Sequence, residues 1–282
     1  MPYHAGDDRH GSSEGPGRLI EAGAVDLLQQ QGHRVTVELA DRDGPFRDTA
    51  SSSAAVNKQV ARLVRAANDP GQLPLVLAGS CVTCHGVLAG FEHSACGAVW
   101  IDAHADFNTP DTAGSGFFPG MSLAVATGHC FANYWGQIGD NTPLAEENIV
   151  MFGVRDLWPE GERERLERSA IKVVPWRDGK PEGEILPALD QLAGRVGEIY
   201  LHIDFDGFAP EVAPGIVDEP VAGGLSRENA EEIVHGAGER FRIRAATLAT
   251  FTPANDEDER TLRLGLRLIE VIGEAARGRS PA

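Results

Sequence analysis

The chain has 282 residues, 42% of them apolar, and its 42 acidic against 25 basic residues give a net charge of −17. Such a surface repels nucleic acid and anionic membranes and is compatible with metal ions or a cationic substrate. The sequence has no run of about 18 apolar residues, so we expect no membrane span. The polar N-terminus and four irregularly spaced cysteines predict a cytoplasmic protein without disulfides.

Strand-like and helix-like patterns alternate along the chain, which predicts an α/β fold with a mainly parallel central sheet covered by helices on both faces. We expect one domain over residues 1–282. The predicted strands are Arg34–Leu39, Leu73–Ala78, Ala98–Ile101, Asn148–Phe152, Ile171–Val174, Ile199–Phe205 and Ala246–Phe251. The predicted helices are Gly17–Gln31, Ser51–Ala67, Val82–Phe91, Gly161–Ser169, Glu182–Leu192, Arg227–Glu239 and Asp258–Ala276.

Long connections rich in glycine and proline interrupt these elements at Gly6–Gly17, Pro110–Gly120 and Phe208–Gly224. In open parallel sheets the binding crevice lies outside the carboxyl ends of the strands. Functional residues are therefore expected where apolar strands end.

Two apolar strands end in nearly the same acidic pattern. The first carries Asp102, His104 and Asp106, and the second carries His202, Asp204 and Asp206. If both segments stay extended, the members of each set point to one side of the sheet. One alternative remains, in which two independent acidic turns each cap the chain that follows.

Four carboxylates in one crevice would repel one another, and their pKa values would rise. Two divalent cations would cancel that charge, and oxygen ligands with an imidazole suit Mn²⁺. A metal pair about 3.5–4 Å apart can hold a bridging hydroxide near neutral pH. That nucleophile suits attack on a planar guanidinium, amidine or amide carbon.

The order and spacing of five segments resemble the ureohydrolases, which include arginases, agmatinases, guanidinobutyrases and formiminoglutamases. The segments are Gly11–Pro16, Asp102–Pro110, Gly153–Asp156, His202–Gly207 and Gly223–Ser226. The resemblance implies a three-layer α/β/α fold, two Mn²⁺ ions per chain, release of urea or ammonia, and a homo-oligomer.

Metal ligands are also implied by this resemblance. Asp102 and Asp204 would bridge both ions, Asp106 would bind one ion, and His104 and Asp206 would bind the other. Asp106, His104 and Asp204 are the expected catalytic residues.

A substrate-binding set follows from the same resemblance. Asn108 and Ser115 keep two positions that bind the substrate carboxylate, and Trp158 stands where an acid binds the substrate amino group. His202 has two open interpretations, as a partner that orients a metal ligand or as a buried histidine without a role in the site.

Cys81 stands where the family has a histidine that binds the first metal. A thiolate there would favour Zn²⁺ or Fe²⁺ over Mn²⁺. The alternative is a buried cysteine that binds no metal, which is a common state for a free cysteine.

Two further departures concern proton transfer and substrate binding. Pro119 replaces the family's proton-shuttling histidine, and Thr250 replaces the glutamate that binds the guanidinium. Because proline cannot move protons, His85 and His129 are candidate replacements. These changes argue against unmodified arginine as the best substrate.

The sequence thus predicts a metal-dependent hydrolase that cleaves a C–N bond of a linear guanidino or amidine compound. Candidate substrates are agmatine, guanidinobutyrate, N-hydroxyarginine and formiminoglutamate. The alternatives are a catalytically impaired protein of this fold with a binding or regulatory role, and an amidohydrolase similar to single-zinc deacetylases.

Overall fold

A computed structural model describes residues 1–67, 71–216 and 220–277. The remaining positions of the predicted 1–282 domain, including 217–219 in the predicted Phe208–Gly224 connection, lie outside the described residues. The strands are β1 (Leu75–Ala78), β2 (Cys96–Ile101), β3 (Ile149–Phe152), β4 (Lys172–Val174), β5 (Trp176–Arg177), β6 (Lys180–Pro181), β7 (Glu198–Asp204) and β8 (Arg242–Ala249). The α-helices are α1 (Gly15–Glu21), α2 (Ala24–Gln30), α3 (Thr49–Ala66), α4 (Cys84–Leu88), α5 (Ser122–Ala126), α6 (Ala132–Ile138), α7 (Glu160–Arg168), α8 (Ile185–Ala193), α9 (Arg227–Arg240) and α10 (Arg260–Arg277).

Six strands form one sheet in the order β1-β8-β7-β2-β3-β4, and every neighbouring pair is parallel. β5 and β6 form a separate antiparallel pair. The prediction of a mainly parallel sheet is confirmed. β7 and β2 are central neighbours, so the carboxyl ends of the two acidic strands lie side by side.

Side chains of the central strands alternate between two apolar cores. In β2, Ala98 and Trp100 face a core that includes residues of α3, α4, α5 and α6. Val99 and Ile101 face the opposite core, which includes residues of α8, α9 and α10. Burial on both faces explains why the strands are nearly continuously apolar. The predicted three-layer α/β/α architecture is confirmed.

Two features of the sequence, an acidic residue before the first turn and a regular spacing of apolar residues, explain the formation and packing of helix α10. The Asp256 carboxylate accepts hydrogen bonds from the backbone N–H groups of Thr261 and Leu262, both at 2.8 Å, which satisfies two free donors of the first turn. Leu264, Leu268 and Ile272 recur at helical spacing and are all buried. The helix therefore buries one stripe against the sheet and leaves its polar face to solvent.

Three sequence predictions of secondary structure were wrong. Arg34–Leu39 is not a strand: it pairs with no described strand, and Val37 and Leu39 remain 56% and 64% exposed. The predicted helix Gly17–Gln31 is broken at Gly23, whose φ of 101° is left-handed. Helices α5 and α6 were not predicted, because they have only 5 and 7 residues and are too short to show a periodic apolar pattern. Among the described residues, no helix is long and apolar enough to cross a membrane.

Gly153, directly after β3, is fixed by its backbone conformation and by its neighbour. Its φ is 94°, and a Cβ there would lie 2.8 Å from the backbone oxygen of Asp102. We expect Gly153→Ala to lower the free energy of unfolding by about 1–3 kcal/mol, because a strained φ and a backbone clash coincide. Gly114→Ala is the matched control, since its Cβ would meet nothing within 4 Å. Urea unfolding measures both variants, and equal stabilities would contradict the expectation.

Candidate metal centre

A cavity of about 390 Å³ opens at the carboxyl end of the sheet. Its lining contains nearly all of the residues predicted from the sequence: Cys81, Asp102, His104, Asp106, Asp204 and Asp206, with Asn108, Ser115 and Trp158. His202 lies outside this lining and is fully buried. The fold therefore brings together side chains from positions 81 to 206.

The first acidic segment does not stay extended as predicted, and the second stays extended only as far as Asp204. β2 ends at Ile101, so Asp102, His104 and Asp106 lie in the loop that follows. Asp106 has a φ of 49°, which redirects its side chain. Asp206 lies in a 3-10 turn after β7, where its backbone N–H donates to Asp204 Oδ1 at 2.9 Å. Turn geometry, and not strand alternation, therefore sets these directions.

Arg155 ties these loops together through backbone oxygens. Its guanidinium donates to the carbonyl oxygens of Asp206 at 2.9 Å and of Phe208 at 3.1 Å. Further carbonyl acceptors are Gly153, Gly207, Val221 and Ala222. A rigid five-donor fork suits this arrangement, and a lysine would not reproduce it.

Asp102, His104 and Asp206 form the first group of possible ligands, with one donor atom of each within 4.8 Å of the others. His104 Nδ1 lies 3.1 Å from Asp206 Oδ2 and 3.4 Å from Asp102 Oδ1. Burial opposes protonation of His104, but the charge of Asp206 and the hydrogen bonds to both carboxylates raise its pKa. Burial likewise opposes ionisation of Asp206, yet His104 lowers the pKa of Asp206 to about 2.

Cys81, Asp102 and His202 form a second group whose donor atoms also lie within 4.8 Å of one another. Cys81 Sγ donates to Asp204 Oδ2 at 2.6 Å. Burial, followed by the charge of Asp204, raises the pKa of the Cys81 thiol. Asp102 belongs to both groups, as a bridging ligand would.

The remaining carboxyl groups are buried and short of cationic partners. Burial and then the charge of Asp102 raise the pKa of Asp106, and burial and then Asp206 raise the pKa of Asp204. Asp106 Oδ2 is buried without a hydrogen-bond partner among the described residues. Crowded and desolvated oxygen donors, one of them without a hydrogen-bond partner, fit divalent cations.

The three predicted substrate-binding residues lie at the rim. Asn108 Nδ2 donates to the backbone oxygen of Trp158 at 3.3 Å. Trp158 is 70% exposed and Phe117 is 45% exposed, so the entrance is partly aromatic. Ser115 Oγ accepts from the backbone N–H of Phe117 at 3.2 Å, which leaves its own proton available.

Three cavity residues were missed by sequence reasoning: His4, Asp156 and Glu162. His4 comes from the N-terminal segment and stacks on His10 with ring centroids 3.9 Å apart. No local sequence pattern connects it to a strand end. Asp156 lies in the loop after β3 and Glu162 in the first turn of α7, and the acidic composition of this stretch was the available signal.

The two candidate proton shuttles lie elsewhere. His85 is buried and its Nε2 is 3.0 Å from the backbone oxygen of Ser122. His129 Nε2 is 2.6 Å from Glu146 Oε1. Neither histidine lines the cavity.

Comparison with known proteins shows the same relationship over almost the whole chain. The Arginase family profile matches residues 1–273. Arginase of Bacillus subtilis (strain 168) is 32% identical over 288 residues, covering 96% of this chain and 95% of that protein. The chain belongs to the arginase family.

Further similarities agree with that assignment. Human Arginase-1 is 31% identical over 248 residues, covering 80% of this chain and 74% of that protein. The crystal structure of arginase from Bacillus subtilis has a TM-score of 0.84 at 28% identity and covers 96% of this chain and 95% of its own. The arginase family comprises metal-dependent hydrolases that generally bind two Mn²⁺ ions, and the cavity of this chain contains candidate ligand groups.

Glu162 is a buried carboxyl group that faces this arginase-family cavity. Burial raises its pKa from 4.5 to about 7, although the backbone N–H of Phe107 donates to it at 2.9 Å. Because the folded-state pKa is the higher one, the stability that this proton contributes is fully present below pH 4.5 and is lost as pH rises through about 7.

We expect Glu162→Gln to remove this pH dependence, because the amide does not titrate. In metal-free protein, its stability should rise relative to the parent chain by up to about 3 kcal/mol between pH 4.5 and pH 8. Glu164→Gln, an exposed neighbour on α7, is the control. Urea unfolding across this pH range tests the idea, and parallel stability curves for Glu162→Gln and the parent chain would refute it.

Proposed function

We propose that this chain hydrolyses a C–N bond of a small linear guanidino or amidine compound. The observation that carries the proposal is a single cavity lined by one ligand group and by part of a second group, which shares Asp102 with the first, together with polar and aromatic side chains in the same lining. This arrangement would hold a planar cationic group against the acidic floor while the rim contacts the rest of the molecule.

Two divalent ions would be held by the floor of the cavity. Asp102, His104 and Asp206 suit one ion, and Cys81 with Asp102 and Asp204 suits the other, with Asp106 available to either. Mn²⁺ is the ion expected from the family, with Zn²⁺ or Fe²⁺ favoured by a thiolate. When bound, such ions lower the pKa of water and polarise the group under attack.

Residues of the rim would select and orient the substrate. Asp156 and Glu162 offer carboxyl groups to a cationic end, and Asn108 and Ser115 offer hydrogen bonds to a polar one. Trp158 covers the entrance without a charge, so a free amino group would lose one ionic partner there. This favours substrates that differ from arginine at the amino-acid end or carry an altered guanidinium, such as agmatine, guanidinobutyrate or N-hydroxyarginine.

Proton transfer would fall to a residue other than Pro119. His4 lines the cavity, and burial followed by the neighbouring His10 lowers its pKa to about 4, so it is neutral at pH 7. Its Nδ1 lies 3.1 Å from the backbone oxygen of Gly79, which orients the ring. A neutral, oriented imidazole could accept a proton from water and then pass that proton to a leaving amine.

A second function has specific support in three substitutions. Cys81, Pro119 and Thr250 each line the cavity where the resembled family has a ligand, a shuttle or a substrate-binding acid. A chain that binds metal or a guanidino ligand without turnover would fit these changes. The donor groups on both sides of Asp102 argue against a centre built for a single zinc ion.

The direct test measures urea, ammonia and formamide release with Mn²⁺, Zn²⁺ or Fe²⁺ on agmatine, guanidinobutyrate, N-hydroxyarginine, formiminoglutamate and arginine. We expect turnover of at least one compound and a loss of at least about 100-fold in Asp106→Asn, which removes a cavity carboxylate. Asp111→Asn, exposed in the following loop, is the control. No product from any compound, with two metals bound per chain, would favour the binding function.

Trp158 generates a separate expectation about selectivity. Trp158→Asp should raise the ratio of kcat/KM for arginine over that for guanidinobutyrate by up to about 5-fold, since an exposed ion pair is worth up to about 1 kcal/mol. Trp158→Asn is the uncharged control. If both variants change the ratio equally, loss of the indole and not the added charge is responsible.

A further inference from the structure

His202 is held in one orientation by the strands around it. Its ring stacks on Trp100 of β2 with centroids 3.8 Å apart and an interplanar angle of 19°. Its Nδ1 lies 2.9 Å from the hydroxyl oxygen of Tyr200, and that hydroxyl donates to Thr247 Oγ1 at 2.7 Å. Because the single tyrosine proton goes to Thr247, the tyrosine oxygen accepts from His202 Nδ1–H.

This hydrogen bond fixes the tautomer and leaves Nε2 with a free lone pair. Nε2 is buried and has no hydrogen-bond partner among the described residues. A buried acceptor without a partner destabilises the folded chain, and a bound cation would offset that loss.

The His202 ring lies among groups that bind cations. One nitrogen of the His202 ring, Cys81 Sγ and a carboxylate oxygen of Asp102 all lie within 4.8 Å of one another. Two donor atoms bound to one zinc ion lie at most about 4.6 Å apart, which is twice the Zn–S bond length. The spacing of these three groups is therefore close to that of ligands on one ion. Cys81 Sγ also lies 2.6 Å from Asp204 Oδ2, so a fourth donor is adjacent.

We propose that His202 is a direct metal ligand and that, with Cys81, Asp102 and Asp204, it forms a Zn²⁺ or Fe²⁺ position inside the metal centre. The resembled family has its histidine at the position of Cys81. Here the imidazole comes from β7 and a sulfur ligand is added. The inference rests on the proposed metal centre, but not on turnover.

The two positions of the centre then differ in chemistry. Asp102, His104 and Asp206 offer oxygen and nitrogen donors, which suit Mn²⁺, whereas thiolate and imidazole suit softer ions. Binding at the Cys81 position converts the thiol to a thiolate and releases one proton to solvent for each ion bound. Tyr200 orients this ligand by accepting a hydrogen bond from His202 Nδ1–H, as the partners of metal-bound histidines commonly do.

X-ray absorption of the full chain with one equivalent of zinc tests the proposal. A His104→Ala background removes the imidazole of the first ligand group, so that its nitrogen does not contribute to the spectrum. We expect sulfur at about 2.3 Å and imidazole nitrogen at about 2.0–2.1 Å from zinc. His202→Phe, which keeps a ring against Trp100, should remove the imidazole signal and weaken zinc binding by more than about 100-fold, beyond the range for an orienting partner.

Cobalt provides a second readout that needs no activity. One equivalent of Co²⁺ should give a thiolate charge-transfer band in the parent chain, in the Cys84→Ala control and in His202→Phe at higher metal concentration, but not in Cys81→Ser. Sulfur without imidazole in the zinc spectrum would overturn the role of His202. A parent-chain spectrum without sulfur would overturn the whole site, whether or not the variants fold.

The failure of this inference is distinct from failure of the proposed function. If the enzyme is active but its zinc spectrum shows only oxygen ligands and the His104 nitrogen, the role of His202 and Cys81 is contradicted and the proposed function is not. A sulfur and imidazole site in a protein that turns over none of the five compounds would sink the hydrolase proposal alone.

Discussion

The mutual repulsion of buried carboxylates is the constraint on which this structure depends. Asp102, Asp106, Asp204 and Asp206 are each at most 7% exposed and line one cavity. Burial and neighbouring charges raise the pKa of three of them, and the fourth keeps a low pKa because His104 lies beside it. Protein groups alone do not balance this charge, so the chain holds the acids together by covalent connection and turn geometry in advance of any cation.

The backbone around the cavity carries the cost of that arrangement. Asp106 and Thr250 both have positive φ values, of 49° and 73°, and a β-branched residue such as Thr250 rarely adopts them. Arg155 compensates by donating to carbonyl oxygens from several loops at once. The Arg155 guanidinium thus holds the acidic loops in place through their backbone carbonyl oxygens. It forms no hydrogen bond with the carboxylates of the candidate ligands among the described residues.

The sequence predicted the parts of this design that follow from period and order. Apolar strands buried on both faces, and acids where two of them end, were enough to place the crevice. It could not predict the local turn at Asp106, since φ at one residue leaves no pattern in its neighbours. His4 was equally invisible, because its approach to the cavity depends on packing against Gly79, far along the chain. The Arg34–Leu39 error has a related cause: alternation indicates a possible strand, but pairing requires a partner that the described sheet does not offer.

Two departures from the resembled family, at Cys81 and Thr250, change the charge of the cavity in opposite directions. A thiolate at Cys81 would add one negative charge where the family has a neutral imidazole. Thr250 removes one negative charge where the family has a glutamate, and its hydroxyl instead donates to Asp204 Oδ1. With a thiolate at Cys81, the summed charge at these two positions would be the same as in the resembled family, although each substitution alone would change it.

That exchange moves negative charge from the substrate side of the cavity to the metal side. A guanidinium bound here would lose the carboxylate that resembled family members offer at the position of Thr250. Its positive charge would then depend on acids at other positions, and Glu162 and Asp156 are carboxyl groups in the cavity lining that could take this role. Because the pKa of Glu162 is raised by burial to about 7, a bound cation would also draw that group toward its ionised form. Substrate charge and the ionisation of Glu162 are therefore coupled in this cavity, a coupling that an always-ionised clamp would not have.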